Sequence, residues 1–239
     1  MIVIFFITQI LLFALSIIFP SAAVPIRLTI SFSFLVFVLI KILWQKPVGY
    51  YKFLLLGLIA CFTGDMFLGD VIPISASFLA GIASFGVAQI LFICVFIKIL
   101  RTNRIKVFNR RLVISMSVLL IIYCVLCIIF MKFSETSNVI KIGVVAYTFL
   151  LCTMAAFAIS LTSINKRYWI TTIGAILFVI SDIIIGITGF DIFYIPAREF
   201  AIWSTYVTAL MGIVYGISIN STVENNASWQ ANIAYVTKK

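Results

Sequence analysis

The chain of 239 residues has no histidine, seven acidic residues and five prolines. Without histidine the commonest transition-metal ligand is missing, and the five cysteines all fall in apolar stretches where they read as small packing residues. No metal and no cofactor are therefore expected. No phosphate-binding glycine loop, serine nucleophile elbow or histidine-based triad can be assembled, which confines any chemistry to acid–base work. Charge as a whole is scarce, at 10% of residues, against about 25% in an ordinary soluble domain. A water-soluble globule is excluded.

Apolar residues fill the chain instead, at 64% of the total. They form runs of roughly 18 residues or more, and at about 1.5 Å per residue such a run crosses a hydrocarbon core. The runs are unbroken, whereas a membrane β-barrel needs alternating segments of about ten residues. Breaks at proline, glycine and charge clusters predict spans over Ile2–Phe19, Leu28–Leu43, Tyr51–Leu68, Phe78–Leu100, Leu112–Phe130, Val139–Ser163, Tyr168–Ile187 and Glu199–Asn220. The expected fold class is all-α, a polytopic bundle of eight transmembrane helices in one domain over residues 1–220. A polar, loosely ordered tail over 221–239 follows it. The first run ends in Phe19-Pro20-Ser21-Ala22-Ala23 as a signal peptide does, but no charge precedes it, so it reads as a span.

The basic residues sort by alternate loops. Thirteen of them (Lys41, Lys46, Lys52, Lys98, Arg101, Arg104, Lys106, Arg110, Arg111, Lys166, Arg167, Lys238 and Lys239) fall on the side of the tail, against Arg27, Lys132, Lys141 and Arg198 opposite. Lys and Arg are retained on the cytoplasmic side, so both termini are expected there, in a bacterial inner membrane. The net charge of +10 is then a topology signal and a contact with the anionic bilayer surface rather than a nucleic-acid footprint.

Two segments echo one another. Gly57 to Gly69 and Gly174 to Gly186 both read Gly, six residues, a small residue, Asp, three residues, Gly, at an offset of 117 that also carries Gln89 onto Tyr206. Two parallel four-helix halves would produce this, and so would the common grammar of helix packing. The echo centres on Asp65 and Asp182, the carboxylates that fall inside spans away from their ends. Each costs about 2.5–3.5 kcal/mol at the middle of a span unless something compensates it. On one reading the pair is catalytic, one carboxyl acting as general acid and the other as base or cation stabiliser. On the other, each Asp only hydrogen-bonds a neighbouring helix. Gln89, in span four, either orients water or substrate or bonds between helices. Tyr206 either reaches the cavity or anchors the interface. Arg198, after Pro196, either meets a phosphate at the non-cytoplasmic mouth or is a loop charge paired with Asp70, Asp191 or Glu199.

The order Lys46-Pro47, Gly64-Asp65-x-x-Leu68, an aromatic-rich fourth span, Phe178-Val179-Ile180-Ser181-Asp182 and a Tyr-bearing last span resembles the YhhN family of membrane proteins, from about Lys46 to Gly216. The resemblance implies a lysoplasmalogenase, which hydrolyses the vinyl ether bond of a lysophospholipid to a fatty aldehyde and a glycerophospho-amine. It implies Asp65 and Asp182 as the catalytic pair, with Tyr206 and Lys46 as site or structural positions. Gln89 stands where the family commonly has His, and glutamine cannot titrate near neutral pH. That departure keeps open a silent lipid-binding relative. Paired Asp residues in repeated halves also suit a proton- or cation-coupled transporter.

Overall fold

The computed structural model describes residues 1–45, 49–133, 136–190 and 192–236, the last fifteen of these by their backbone alone. Eight α-helices follow in order: α1 Ile2–Ile18, α2 Ala23–Gln45, α3 Tyr51–Leu68, α4 Ser77–Thr102, α5 Arg110–Phe133, α6 Asn138–Ser160, α7 Trp169–Gly189 and α8 Arg198–Val236. Short 3-10 turns link α1 to α2 and α6 to α7, and no strand occurs among the described residues. The protein is an all-α membrane helix bundle. Seven helices are long and apolar enough to cross a bilayer, and α1 is the shorter exception. Its 17 residues extend about 26 Å at 1.5 Å per residue, slightly less than the hydrocarbon thickness.

A buried polar side chain helps fasten α1 to the rest. Gln9, buried in an otherwise apolar helix, donates from Nε2 to Ser33 Oγ (2.8 Å) and accepts at Oε1 from the Tyr215 hydroxyl (2.6 Å). Both ends of the amide are used, which ties α1 to α2 and α8. On the opposite flank, α5 turns Ile114, Ile121 and Ile128 outward at heptad spacing, as a lipid-facing helix does.

The backbone of α8 continues helical beyond Asn220, to Val236. No glycine or proline follows Gly216, so the polar composition carries no helix breaker.

Helix contacts bear out the internal echo. α1 lies on α2 as α5 lies on α6; α2 on α3 as α6 on α7; α3 on α4 as α7 on α8; and α4 meets α6 as α8 meets α2. The six helices α2, α3, α4, α6, α7 and α8 thus close a ring, with α1 and α5 outside it. Residue contacts repeat at the same offset. A Cβ on Gly57 would meet Phe92, and one on Gly174 would meet the backbone of Ala209, 117 residues beyond Phe92. A Cβ on Gly64 would meet Phe85, while Ser181 Oγ donates to the carbonyl of Ile202, 117 beyond Phe85. This correspondence favours two parallel halves over packing grammar alone. The small residues let α3 approach α4 and α7 approach α8 closely.

Candidate active site

Asp65 and Asp182 sit on α3 and α7, the two helices that the ring brings to equivalent positions. Asp65 is buried, and its Oδ2 accepts from Ser31 Oγ of α2 (2.6 Å) and from the Tyr206 hydroxyl of α8 (3.0 Å). Asp182 Oδ2 accepts a short hydrogen bond from the Tyr147 hydroxyl of α6, and Gln89 Nε2 of α4 lies 3.5 Å behind that hydroxyl. Each carboxylate therefore takes a hydroxyl donor from the helix before its own. Each is also supported from the last helix of the other half, Asp65 directly by Tyr206 and Asp182 through Tyr147 by Gln89. A hydrogen bond to a charged group is worth about 1.5–3 kcal/mol, so these donors offset much of the cost of holding a carboxylate within a span.

Aromatic rings fix the Tyr206 phenol edge-to-face. Phe178 and Trp203 each lie 5.5 Å from it and Phe85 6.1 Å. The donor to Asp65 is thus set by packing before any substrate arrives.

Two cavities meet at the carboxylates. One, of about 420 Å³, opens at the end of the bundle where α3 and α7 finish and α2 and α8 begin; it is lined by Asp65, Asp182, Tyr206, Arg27, Arg198, Glu199, Asp70 and Trp203 among others. The other, of about 140 Å³, is apolar and runs between α4, α5, α6 and α7 past Ile82, Leu126, Phe130, Val144 and Tyr147. Leu68, Phe78, Phe85, Asp182 and Ile185 line both. Asp182 therefore sits at the junction of a polar chamber and an apolar one, and Asp65 faces only the polar side.

Of the residues singled out from sequence, Asp65, Asp182, Tyr206 and Arg198 all line the polar cavity. Gln89 is fully buried, lines neither cavity and reaches the site only through Tyr147; its Oε1 has no hydrogen-bond partner among the described residues. Arg198 is exposed at the mouth, 3.8 Å from Glu199. Lys46 and Asp191 lie outside the described residues. Sequence reasoning missed Ser31, Tyr147 and Arg27. A hydroxyl in an apolar span carries no signal by itself, yet the offset held one: Ser31 maps onto Thr148, next to Tyr147.

A model of the YhhN family matches residues 25–217. The chain belongs to the YhhN family. No curated protein and no solved structure matches it. The match begins two residues before Arg27, so this YhhN protein carries within the family region every residue that lines the polar cavity except Val24.

Proposed function

We propose that this YhhN protein is a membrane hydrolase that cleaves the vinyl ether bond of lysoplasmalogens, releasing a fatty aldehyde and a glycerophospho-amine. The observation that carries the reading is the junction itself, where an apolar chamber and a polar chamber meet at one carboxylate with a second carboxylate on the polar side. A lysoplasmalogen has that division: an alkenyl chain, an ether link to glycerol, and a charged head. Lysoplasmalogenase-type hydrolysis is the known activity of the family.

With the chain in the apolar cavity, the chain-side vinyl carbon lies nearest Asp182 and the ether oxygen nearest Asp65. Protonated Asp182 gives its proton to that carbon, and the alkene electrons leave an oxocarbenium ion across the ether-side carbon and oxygen. The Asp65 carboxylate stabilises the cation and takes a proton from the water that adds to it, giving a hemiacetal. Collapse then reverses both roles. Asp65 protonates the departing glycerol oxygen, and the hemiacetal hydroxyl returns a proton to Asp182 as the aldehyde forms. One water is consumed and both carboxyls regain their starting states. In this scheme Ser31, Tyr206 and Tyr147 hold the carboxylates, and Gln89 positions Tyr147. The topology that suits the scheme has both termini in the cytoplasm of a bacterial inner membrane, with the polar mouth on the far side.

Gln89 is the observation that favours a second reading, a silent lipid-binding relative, since the resemblance has His there. Position 89 lies behind Tyr147 rather than at the cavity, so a neutral amide suffices to hold that phenol. A coupled transporter finds less support, because α3 and α7 run without interruption past both carboxylates.

The test is aldehyde release from a lysoplasmenyl phospholipid by the purified protein in detergent. Wild type is expected to turn over, and Tyr147→Phe is expected to lower kcat roughly tenfold with KM little changed, the loss of one orienting hydrogen bond. Absence of aldehyde from folded wild type, restored by Gln89→His, would instead establish the silent relative.

A further inference from the structure

The two outer helices, α1 and α5, hold matching places on the ring but pack on it differently. On α1 the stripe Gln9, Leu12 and Phe13 lies against the core: Gln9 is buried between Ser33 and Tyr215, Leu12 and Phe13 rest on the apolar cluster, and the Phe13 ring lies 5.9 Å from that of Phe200. The offset of 117 carries these three onto Leu126, Ile129 and Phe130 of α5, and all three line the apolar cavity instead. α1 packs on two ring helices, α2 and α8, whereas α5 packs on α6 and has no comparable contact with α4 or α7 among the described residues. The attachments of α5 share this bias. At its start Arg111 Nη1 donates to Thr162 Oγ1 (2.6 Å) and Ser115 Oγ to the Ala156 carbonyl (3.3 Å), and midway the Tyr123 ring lies 5.7 Å from that of Phe149, so each of these partners is in α6 or the turn after it. Leu126 stands where α1 has Gln9, so α5 carries no counterpart of that amide. At its far end Phe130 meets Phe190, just past α7, edge-on at 4.8 Å between ring centroids, and Phe190 meets Phe78 of α4 at 5.1 Å. Behind this row of rings the cavity reaches Asp182. Hydrogen bonds thus fix the start of α5 to α6, while ring contacts close its far end against α7, and rotation about α6 is the low-cost motion of this helix.

We propose that a lipid chain reaches Asp182 sideways from the bilayer through the seam between α5 and α7, with α5 swinging on α6 and Phe190 acting as the latch between Phe130 and Phe78. The inference rests on the hydrolase reading for its occupant, a single-chain ether lipid, and adds to it the route by which that lipid enters. Both sides of the seam already face hydrocarbon: Ile121 and Ile128 of α5 and Ile173, Ile176 and Ile180 of α7 are exposed. Lateral entry therefore keeps the methylenes in apolar surroundings from the bilayer to the cavity. Entry through the polar chamber would draw the whole chain out of hydrocarbon and past both carboxylates, at a cost that rises with each methylene. The difference between the outer helices also accounts for the difference between the carboxylates. The half under α1 is sealed by the Gln9 stripe, and Asp65 faces only the polar chamber; the half under α5 is left hollow, and Asp182 faces both.

The test is the rate at which tritiated 1-O-hexadecyl glycerophosphoethanolamine, which has no vinyl ether to cleave, binds to and leaves the full chain in lipid nanodiscs. Phe130→Cys and Phe190→Cys, in a background of Cys94→Ala, Cys124→Ala and Cys127→Ala, are joined by a short bis-methanethiosulfonate. The tether is expected to slow association and dissociation alike by at least about tenfold, because a closed gate obstructs both directions, and reduction is expected to restore both rates. The same reagent across Phe13→Cys and Phe200→Cys, on the sealed half, is expected to change neither. Phe130→Ala, which needs no tether, is expected to speed both rates at least about threefold. Should the cysteine pair not cross-link, Phe130→Ala decides the matter. Rates unmoved by the α5 tether or by Phe130→Ala, equal slowing by the α1 tether, or the absence of saturable binding would each overturn the proposal. Because no bond is cleaved, a protein that releases no aldehyde yet gates this ligand through α5 would refute the hydrolase reading and leave the route standing.

Discussion

Replacing Asp182 by Asn is expected to slow aldehyde release from a lysoplasmenyl phospholipid by about a thousandfold, within the range of 10²–10⁴ that a positioned general acid or base contributes. The amide keeps the size of the side chain and an oxygen that accepts from Tyr147, so the bundle should fold with its melting temperature nearly unchanged. The fall belongs in kcat, since in this scheme Asp182 meets the substrate at the carbon it protonates rather than at either anchor. Asp65→Asn is expected to fall comparably, because the same cycle needs both proton positions. The double variant should be little worse than either single one, as groups that act as a unit lose their effect once. A double variant that multiplies the two losses would separate the carboxylates into independent roles. Expression, melting temperature and single-turnover aldehyde release, taken together, check each of these outcomes.

The largest structural effect is expected at Gly174. A Cβ there would stand 2.7 Å from both the Ala209 oxygen and the Ile213 nitrogen, and one on Gly212 would meet the Cα of Gly174 at the same distance. These are backbone atoms of the facing helix, so no rotamer change relieves the clash and α7 must move away from α8. Gly174→Val is therefore expected to cost about 3 kcal/mol or more, the upper end of overpacking penalties. It should also displace Tyr206 from Asp65, because the ring contact between Phe178 and Tyr206 joins the same two helices. Gly186 is the matching control. A Cβ at that position has nothing within 4 Å, and Gly186→Ala should be neutral or stabilise by up to about 1 kcal/mol. Thermal unfolding of the two variants in the same detergent compares them directly.

The span boundaries were legible because proline, glycine and charge punctuate an otherwise apolar chain. At α8 the polar composition beyond Asn220 marks a tail, and with no breaker residue after Gly216 the helical backbone runs on to Val236. The carboxylate pair was legible for a different reason. A charge within a span is costly enough that its two occurrences stand out, and a matched pattern of small residues around both suggested equivalent helices. What lay beyond the sequence was the set of donors. Ser31 and Tyr147 are ordinary residues on apolar helices, and the packing of α2 on α3 and of α6 on α7 turns them toward Asp65 and Asp182. Gln89 shows the reverse case. It stood out as an inward-facing polar residue that either orients water or substrate or bonds between helices, and its amide lies behind Tyr147 of α6. Arg27 appeared only as a basic residue on the sparsely charged side. Its burial, its stacking on Trp203 and its pairing with Glu199 depend on the N-terminal ends of α2 and α8 meeting at one mouth.

The central claim is that a carboxyl group protonates carbon, and running the reaction in D₂O reads that step directly. Hydrolysis of a lysoplasmenyl phospholipid by the wild-type protein in D₂O should give aldehyde with one deuterium at the carbon next to the carbonyl, and folded Asp182→Asn should form that labelled aldehyde about a thousandfold more slowly. Aldehyde released without deuterium at that carbon would contradict protonation of the vinyl ether and with it the account of the carboxylate pair.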